Sequence, residues 1–294
     1  MAVISPRVRY GSREVDWTWV PETTDEVAAT LRRMFAEGLG VLGFTFVAGS
    51  ALVINQITSG QLGLLGMAVA TALAYAIIVY ALYPVSGGHI NPAVTIGHVA
   101  AGRMPPSVAL LYIGAQLGGA VLGALLLELI FTDFLSDVSA AASLSFDPRL
   151  EGWTGGLLEA ILCFMLVTAF FRSFVDKKGD VYQGAIATGL VVLIGFLVAF
   201  PLTGGALNVA RVFGTNLVAG EWSDFLWYWA GLIGGAVAGL LFQYLFVSHD
   251  EPAEPRSVLR NGFRGNQRRT GKVLSGILDS IEAGPSEGVY IDAV

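Results

Sequence analysis

The sequence predicts an all-α membrane protein with six transmembrane helices and two half-helices, built as a 3+3 inverted repeat. The first observation is composition: 54% of the 294 residues are hydrophobic and only 14% are charged, with a mean hydropathy of +0.65. Soluble domains usually carry about 25% charged residues. The second is a series of six long apolar stretches, and the third is a motif that recurs in the two halves of the chain.

The charged residues are concentrated at the two ends of the chain. Of the 40, 10 lie in residues 1–34 and 13 in residues 248–294. This division predicts an N-terminal tail over 1–34, a membrane domain over 35–247 and a largely disordered C-terminal tail over 248–294. Within that tail, apolar residues over 273–281 have the spacing of a short amphipathic helix.

The N-terminus and the cysteine content argue against a cleaved signal peptide and against disulfide or cysteine–metal sites. The polar, charged N-terminus is unlike a cleavable signal peptide. A single cysteine, Cys163, excludes an internal disulfide framework and a cysteine-based metal site.

Six stretches are long and apolar enough to cross a membrane, which takes about 20 residues for a hydrocarbon core of ~30 Å. They are residues 35–54, 63–84, 107–131, 153–171, 182–202 and 225–247. The second, fifth and sixth contain no charged residue. Six such stretches in series exclude the buried helices of a soluble protein.

The distribution of basic residues predicts the orientation. If the N-terminus is cytoplasmic, 15 of the 17 Lys and Arg residues lie in cytoplasmic tails or loops. The exceptions are Arg149, in a loop rich in acidic residues, and Arg211. The positive-inside rule therefore places both termini in the cytoplasm, and we expect the cell (plasma) membrane as the location.

Two further apolar segments, 91–101 and 208–219, are too short to span. Each makes a helix of roughly 16–18 Å, about half the membrane thickness. Both begin with an asparagine, a favoured N-cap. Because irregular backbone is tolerated at membrane depth only inside protein or beside a water-filled cavity, the two segments predict a cavity or pore.

The chain contains an internal repeat. Residues 86–97 (SGGHINPAVTIG) match 203–214 (TGGALNVARVFG) at a constant offset of 117 positions. Upstream, Glu37 and Glu159 each open the first span of a half. Three crossings per unit make the two units inverted, so the N-termini of the half-helices should meet near the midplane.

The predicted meeting point has defined chemistry. Asn91 and Asn208 can cap their half-helices while presenting amides to a neutral polar molecule, and the helix dipoles there disfavour cations. Arg211 is either a functional charge or a snorkelling surface residue, and we favour the first.

Three ionisable residues close to the loops have structural or functional interpretations. Glu37 and Glu159 either carry protons or accept N–H groups from the half-helix loops, and their symmetry favours the second. His89 is expected to be a hydrogen-bonded loop residue. We expect no metal site and no cofactor.

These motifs resemble those of the aquaporin/aquaglyceroporin (major intrinsic protein) family over about residues 30–247. The resemblance implies a non-enzymatic channel domain, a homotetramer in the lipid bilayer with one pore per subunit, and passive conduction of water or small uncharged solutes without nucleic-acid partners. It places the pore centre, with its NPA-type motifs, at Asn91, Pro92, Ala93, Asn208, Val209 and Ala210. It places the selectivity filter at Thr71, Phe196, Gly205 and Arg211.

The sequence departs from the family pattern at two places. Val209 replaces the usual proline, which the first turn of a helix favours but does not require. Water-selective members typically carry an aromatic residue and a histidine where this chain has Thr71 and Phe196. Glycerol-type members usually carry an aspartate where this chain has Val212, so the subtype signals conflict. Because Thr71 is small, we expect a channel for water that also passes solutes such as glycerol and excludes protons and ions. An ion-coupled transporter or a non-conducting scaffold with the same fold remains the alternative.

Overall fold

The computed structural model describes residues 7–10, 13–16, 23–175 and 180–247. The C-terminal tail predicted over 248–294, including the amphipathic helix over 273–281, lies outside the described residues. Near the N-terminus two short antiparallel strands pair, β1 (Arg7–Tyr10) with β2 (Arg13–Asp16), which the sequence pattern did not indicate.

The six predicted spans are all helices, which confirms the fold class. They are α1 (Thr24–Ile57), α2 (Gly63–Ser86), α4 (Pro106–Phe131), α6 (Gly152–Phe170), α7 (Val181–Thr203) and α9 (Phe225–Phe242). Two of them continue into π-helical turns: α6 over Phe171–Val175 and α9 over Gln243–Val247. All six are long and apolar enough to cross a membrane.

The first helix begins eleven residues before the predicted span, at Thr24 rather than at residue 35. Thr23 caps it: the Thr23 hydroxyl accepts from the Glu26 N–H, and the Glu26 carboxylate accepts from the Thr23 N–H. Such a reciprocal pair satisfies two donors that a helix start leaves free. Part of the segment predicted as a tail is therefore a polar extension of α1.

The two half-helices are α3 (Pro92–Ala100) and α8 (Val209–Ala219), within one residue of the predicted starts. A further short helix, α5 (Val138–Ala142), lies in the loop after α4. Each half-helix follows a second span that contains a proline near its end, Pro84 in α2 and Pro201 in α7.

The packing follows the inverted repeat. The first and last spans of each half pack together, α1 with α4 and α6 with α9, and α2 packs on α7 across the two halves. Each half-helix also packs against the last span of the other half, α3 on α9 and α8 on α4. Two glycines allow the close pairs: a Cβ at Gly119 would strike the backbone of Gly38, and one at Gly231 that of Gly156.

Candidate functional site

The two loops that precede the half-helices have the same backbone geometry. Ile90 and Leu207, 117 positions apart, both adopt positive φ, +40° and +50°. This region is unfavourable for side chains with a Cβ, and most of all for a β-branched residue such as Ile90. A strained backbone of this kind costs on the order of 1–3 kcal/mol and persists only where its surroundings hold it.

The two asparagines hold both loops together. Asn91 Oδ1 accepts from the Ala93 N–H (3.0 Å), and Asn208 Oδ1 accepts from the Ala210 N–H (2.9 Å). Their side-chain nitrogens cross over: Asn91 Nδ2 donates to the Leu207 carbonyl (2.8 Å) and Asn208 Nδ2 to the Ile90 carbonyl (2.7 Å). The half-helix N-termini therefore meet, as the inverted repeat predicts.

This crossover uses part of the hydrogen-bonding capacity that the sequence assigned to a passing molecule. Each amide nitrogen carries two hydrogens, and one of them is committed to the opposite loop. One N–H per asparagine remains for a ligand. Pro92 and Val209 occupy the same place, the first residue of each half-helix, and Ala93 and Ala210 follow them, all four buried.

The two buried glutamates bind the strained loops. Glu37 accepts hydrogen bonds from the backbone N–H groups of His89 (3.0 Å) and Ile90 (2.6 Å). Glu159 accepts from those of Ala206 (2.9 Å) and Leu207 (3.0 Å). Each also accepts from the hydroxyl of the last residue of the helix before the loop: Glu37 from Ser86 of α2 (2.6 Å), and Glu159 from Thr203 of α7 (2.5 Å).

Three further residues support the loops, and sequence reasoning missed them. Gln116 Nε2 donates to Glu37 (2.8 Å) and to the Thr95 hydroxyl (3.1 Å). The Tyr112 hydroxyl donates to the Ser86 carbonyl (2.9 Å), and the Tyr228 hydroxyl to the Thr203 carbonyl (2.6 Å). The only signal was that the tyrosines lie 116 positions apart on the last spans, close to the offset of the repeat.

The structure brings three of the four predicted filter residues together. Arg211 is completely buried, and its Nη1 donates to the Gly205 carbonyl (3.0 Å). Its guanidinium carbon lies 5.6 Å from the centre of the Phe196 ring. Its Nε and Nη2 have no hydrogen-bond partner in the part of the chain that the structure describes. Burial makes a surface snorkelling role impossible for this arginine.

The fourth predicted filter residue, Thr71, lies on α2 and is also fully buried. Its hydroxyl donates to the Met67 carbonyl one turn earlier (2.8 Å). A hydroxyl that donates in this way keeps its acceptor lone pairs available. Thr71 therefore offers a buried acceptor on α2, and its membership of the filter stays a prediction.

His89 is a hydrogen-bonded loop residue in the structure. Its Nδ1 is hydrogen-bonded to the Thr95 hydroxyl (3.1 Å), and its ring stacks on that of His98, with 4.0 Å between ring centres. No sequence pattern indicated that the two histidines would pair. Among the residues that the structure describes, no three His, Cys, Asp or Glu side chains group as metal ligands would.

The loop over 143–151 is held by hydrogen bonds to α8 and to the end of α7. Asn216 of α8 binds both backbone groups of Leu144, accepting from its N–H (2.9 Å) and donating to its carbonyl (2.7 Å). The Asp147 N–H donates to the Leu202 carbonyl near the end of α7 (2.8 Å). Two hydrogen bonds from the Arg149 guanidinium lower the pKa of Asp147 to about 2, so this carboxyl stays ionised at neutral pH.

The chain also matches a known protein family over the region that contains the two half-helices, their asparagines and the buried arginine. Residues 24–242 match the family model described as Major intrinsic protein. The chain belongs to the major intrinsic protein family. The match takes in both half-helices, all six spans up to the last residue of α9, and none of the C-terminal tail.

Relatives within the family are named as aquaporins. The chain is 38% identical over 229 residues to aquaporin TIP4-4 of Zea mays, which covers 75% of this chain and 89% of the relative. It is 38% identical over 264 residues to the probable aquaporin TIP3-2 of Arabidopsis thaliana, covering 84% and 94%.

A solved member shares the fold. The aquaglyceroporin from Plasmodium falciparum superposes with a TM-score of 0.63, covering 74% of this chain and 97% of that one at 22% sequence identity. At this level of identity the likeness extends to the fold, and the substrate has to be argued from this chain's own residues.

Proposed function

We propose that this chain is a passive transmembrane channel for water that also passes small uncharged solutes such as glycerol. The observation that carries the proposal is the meeting of the two half-helix N-termini through reciprocal asparagine–carbonyl bonds. Their positive dipole ends, each worth about half a charge, converge there. A neutral polar molecule can use the remaining amide N–H groups, whereas a cation is repelled.

Arg211 adds a fixed positive charge and two unpaired donors to the same path. A buried donor without a partner is costly, and a passing water or alcohol hydroxyl would relieve that cost. Phe196 supplies an apolar wall beside the guanidinium. Donors and an aromatic ring close to each other suit a small polyol, which presents hydroxyls as well as carbons.

The small size of Thr71 and Gly205 supports solute passage. Replacing Thr71 with Phe should reduce glycerol flux far more than water flux, because a molecule of about 3 Å can still pass a narrowed filter. Thr71→Val, which keeps the volume and removes the hydroxyl, is the matched control for size. The readout is stopped-flow shrinkage and re-swelling of proteoliposomes.

The same measurement separates the alternative functions. A channel gives rapid shrinkage that is independent of ions, an ion-coupled transporter gives ion-dependent solute flux, and a scaffold gives neither. The oxygens of Glu37 and Glu159 are engaged by the loops, which favours a holding role over proton carriage. Wild-type vesicles that shrink in glycerol and fail to re-swell would leave a strict water channel.

The assembly and orientation belong to the same proposal. The family resemblance supports a homotetramer with one pore per subunit, and light scattering of the purified protein in detergent tests the mass. The 15 basic residues on one side support cytoplasmic tails. We place the channel in the plasma membrane, which fractionation of the source cells tests.

A further inference from the structure

Tyr75 is a buried residue of α2 to which neither the repeat motif nor the predicted filter assigns a role. It follows Thr71 by four positions, so both side chains lie on the same face of the helix, about 6 Å apart along its axis. Both are completely buried. Because α2 runs from Thr71 towards the loop that ends at Asn91, Tyr75 lies between the filter and the paired asparagines.

The inverted repeat gives an independent placement. Tyr75 stands 16 positions before Asn91, and Val192 stands 16 positions before Asn208. Both belong to one buried cluster that also contains Ile90 and Leu207, the residues whose carbonyls the asparagines bind. The two repeats therefore direct Tyr75 and Val192 to equivalent places at the centre of the bundle.

The registers of α2 and α7 agree at this depth. Thr71 has its own counterpart in Thr188, which donates to the Gly184 carbonyl four residues earlier as Thr71 donates to that of Met67. Tyr75 is therefore aligned with Val192 by structure as well as by counting. The repeat is broken at this point by a tyrosine in place of a valine.

Among the residues that the structure describes, none forms a hydrogen bond with the Tyr75 hydroxyl. Its ring packs edge-on against Phe44, with 5.3 Å between ring centres, and the other members of its cluster are apolar. Buried tyrosine hydroxyls usually find a partner, as those of Tyr112 and Tyr228 do here. A hydroxyl left unpaired at the centre of a channel is available to what passes through it.

We propose that Tyr75 is a further specificity determinant of the channel. Its hydroxyl hydrogen-bonds to the neutral molecule in passage between the filter and the asparagine pair, and its ring sets the size limit of the pore. This rests on the proposed channel function. Thr71 and Gly205 leave the filter wide, so the bulkier Tyr75 ring decides which solutes follow water.

Two variants separate the hydroxyl from the ring. Tyr75→Phe removes only the hydroxyl, and Tyr75→Val installs the residue that the other repeat carries. Tyr80→Phe is the matched control, since Tyr80 is an exposed tyrosine of the same helix, 46% accessible. Each purified variant is reconstituted, and water and glycerol permeabilities per channel are measured by stopped-flow light scattering. Size-exclusion profiles verify folding.

Tyr75→Phe should lower water permeability about 2- to 12-fold, the equivalent of ~0.5–1.5 kcal/mol for one hydrogen bond, while Tyr80→Phe leaves it unchanged. Tyr75→Val should raise the glycerol-to-water permeability ratio at least about fivefold, the equivalent of ~1 kcal/mol. This is the lower end of the free energy that crowding by a bulky side chain costs inside a protein. A Tyr75→Phe result equal to that of Tyr80→Phe overturns the hydroxyl role and makes Tyr75 a core residue.

An unchanged ratio in Tyr75→Val overturns the size limit. Failure of the proposed function looks different, because wild type, Tyr80→Phe and Tyr75→Val would then all match protein-free liposomes. If wild type is silent and Tyr75→Val conducts, the ring closes the pore: the size limit is then upheld and water conduction by the wild type is refuted.

Discussion

Removing the Glu159 carboxylate tests whether the second half-helix loop depends on it. In Glu159→Ala, the N–H groups of Ala206 and Leu207 lose their acceptor inside the protein. A buried donor left unpaired costs ~1–3 kcal/mol, so the two together cost about 2–6 kcal/mol before the Thr203 hydroxyl is counted. Leu207 also has positive φ, a strained conformation that persists only while its surroundings hold it, so the loop should leave this conformation when the carboxylate is removed.

The loss should appear in both stability and conduction. We expect the apparent Tm of Glu159→Ala in detergent to fall by at least about 4 °C, given about 2–4 °C per kcal/mol for a protein of this size. Water permeability should fall with it, because the Leu207 carbonyl positions Asn91. Glu151→Ala is the control, an exposed glutamate at the start of the same helix. Equal Tm and permeability in the two variants would refute the reasoning.

Three other substitutions and the orientation give further outcomes. Arg211→Val should speed the collapse of an imposed pH gradient without abolishing water flow, and an equally fast collapse in wild-type vesicles contradicts it. Val209→Pro should leave water permeability and Tm within error, since the first helical position accepts proline. Gly205→Ala should lower water permeability, because its φ is +56° and a Cβ would lie 3.1 Å from Phe196 Cα, whereas Gly118→Ala, facing open space, should not. Protease added to sealed right-side-out vesicles should spare a C-terminal tag.

Much of the fold could be predicted because lipid imposes strict rules on length and polarity. Both half-helices were predictable since each begins with an asparagine after a glycine pair and is too short to span. The start of α1 was not, because Thr24–Met34 is a polar helix outside the apolar stretch and hydropathy does not register it. Its capping box, Thr23 with Glu26, was the available sign.

The supports of the site were harder to predict than the site itself. Gln116 binds Glu37 of α1, 79 positions away, and Asn216 binds the loop at Leu144, 72 positions away. A polar residue in a helix does not reveal such a partner. The stacking of His98 on His89 depends on how α3 turns, which the sequence does not specify. Such contacts follow from tertiary packing.

The repeat also separates residues that both halves share from residues that only one half carries. Where the two halves agree, as at Glu37 with Glu159 and Asn91 with Asn208, both members make the same bonds to the loops. Where they differ at the offset of 117, one member carries chemistry that the other lacks: Arg211 corresponds to Val94, and Phe196 to Val79. The symmetric half-helix pair already disfavours cations from both sides. Selection among neutral molecules should therefore be sought where the symmetry is broken as well. Tyr75, which corresponds to Val192 in the other half, is such a break between the filter and the asparagines.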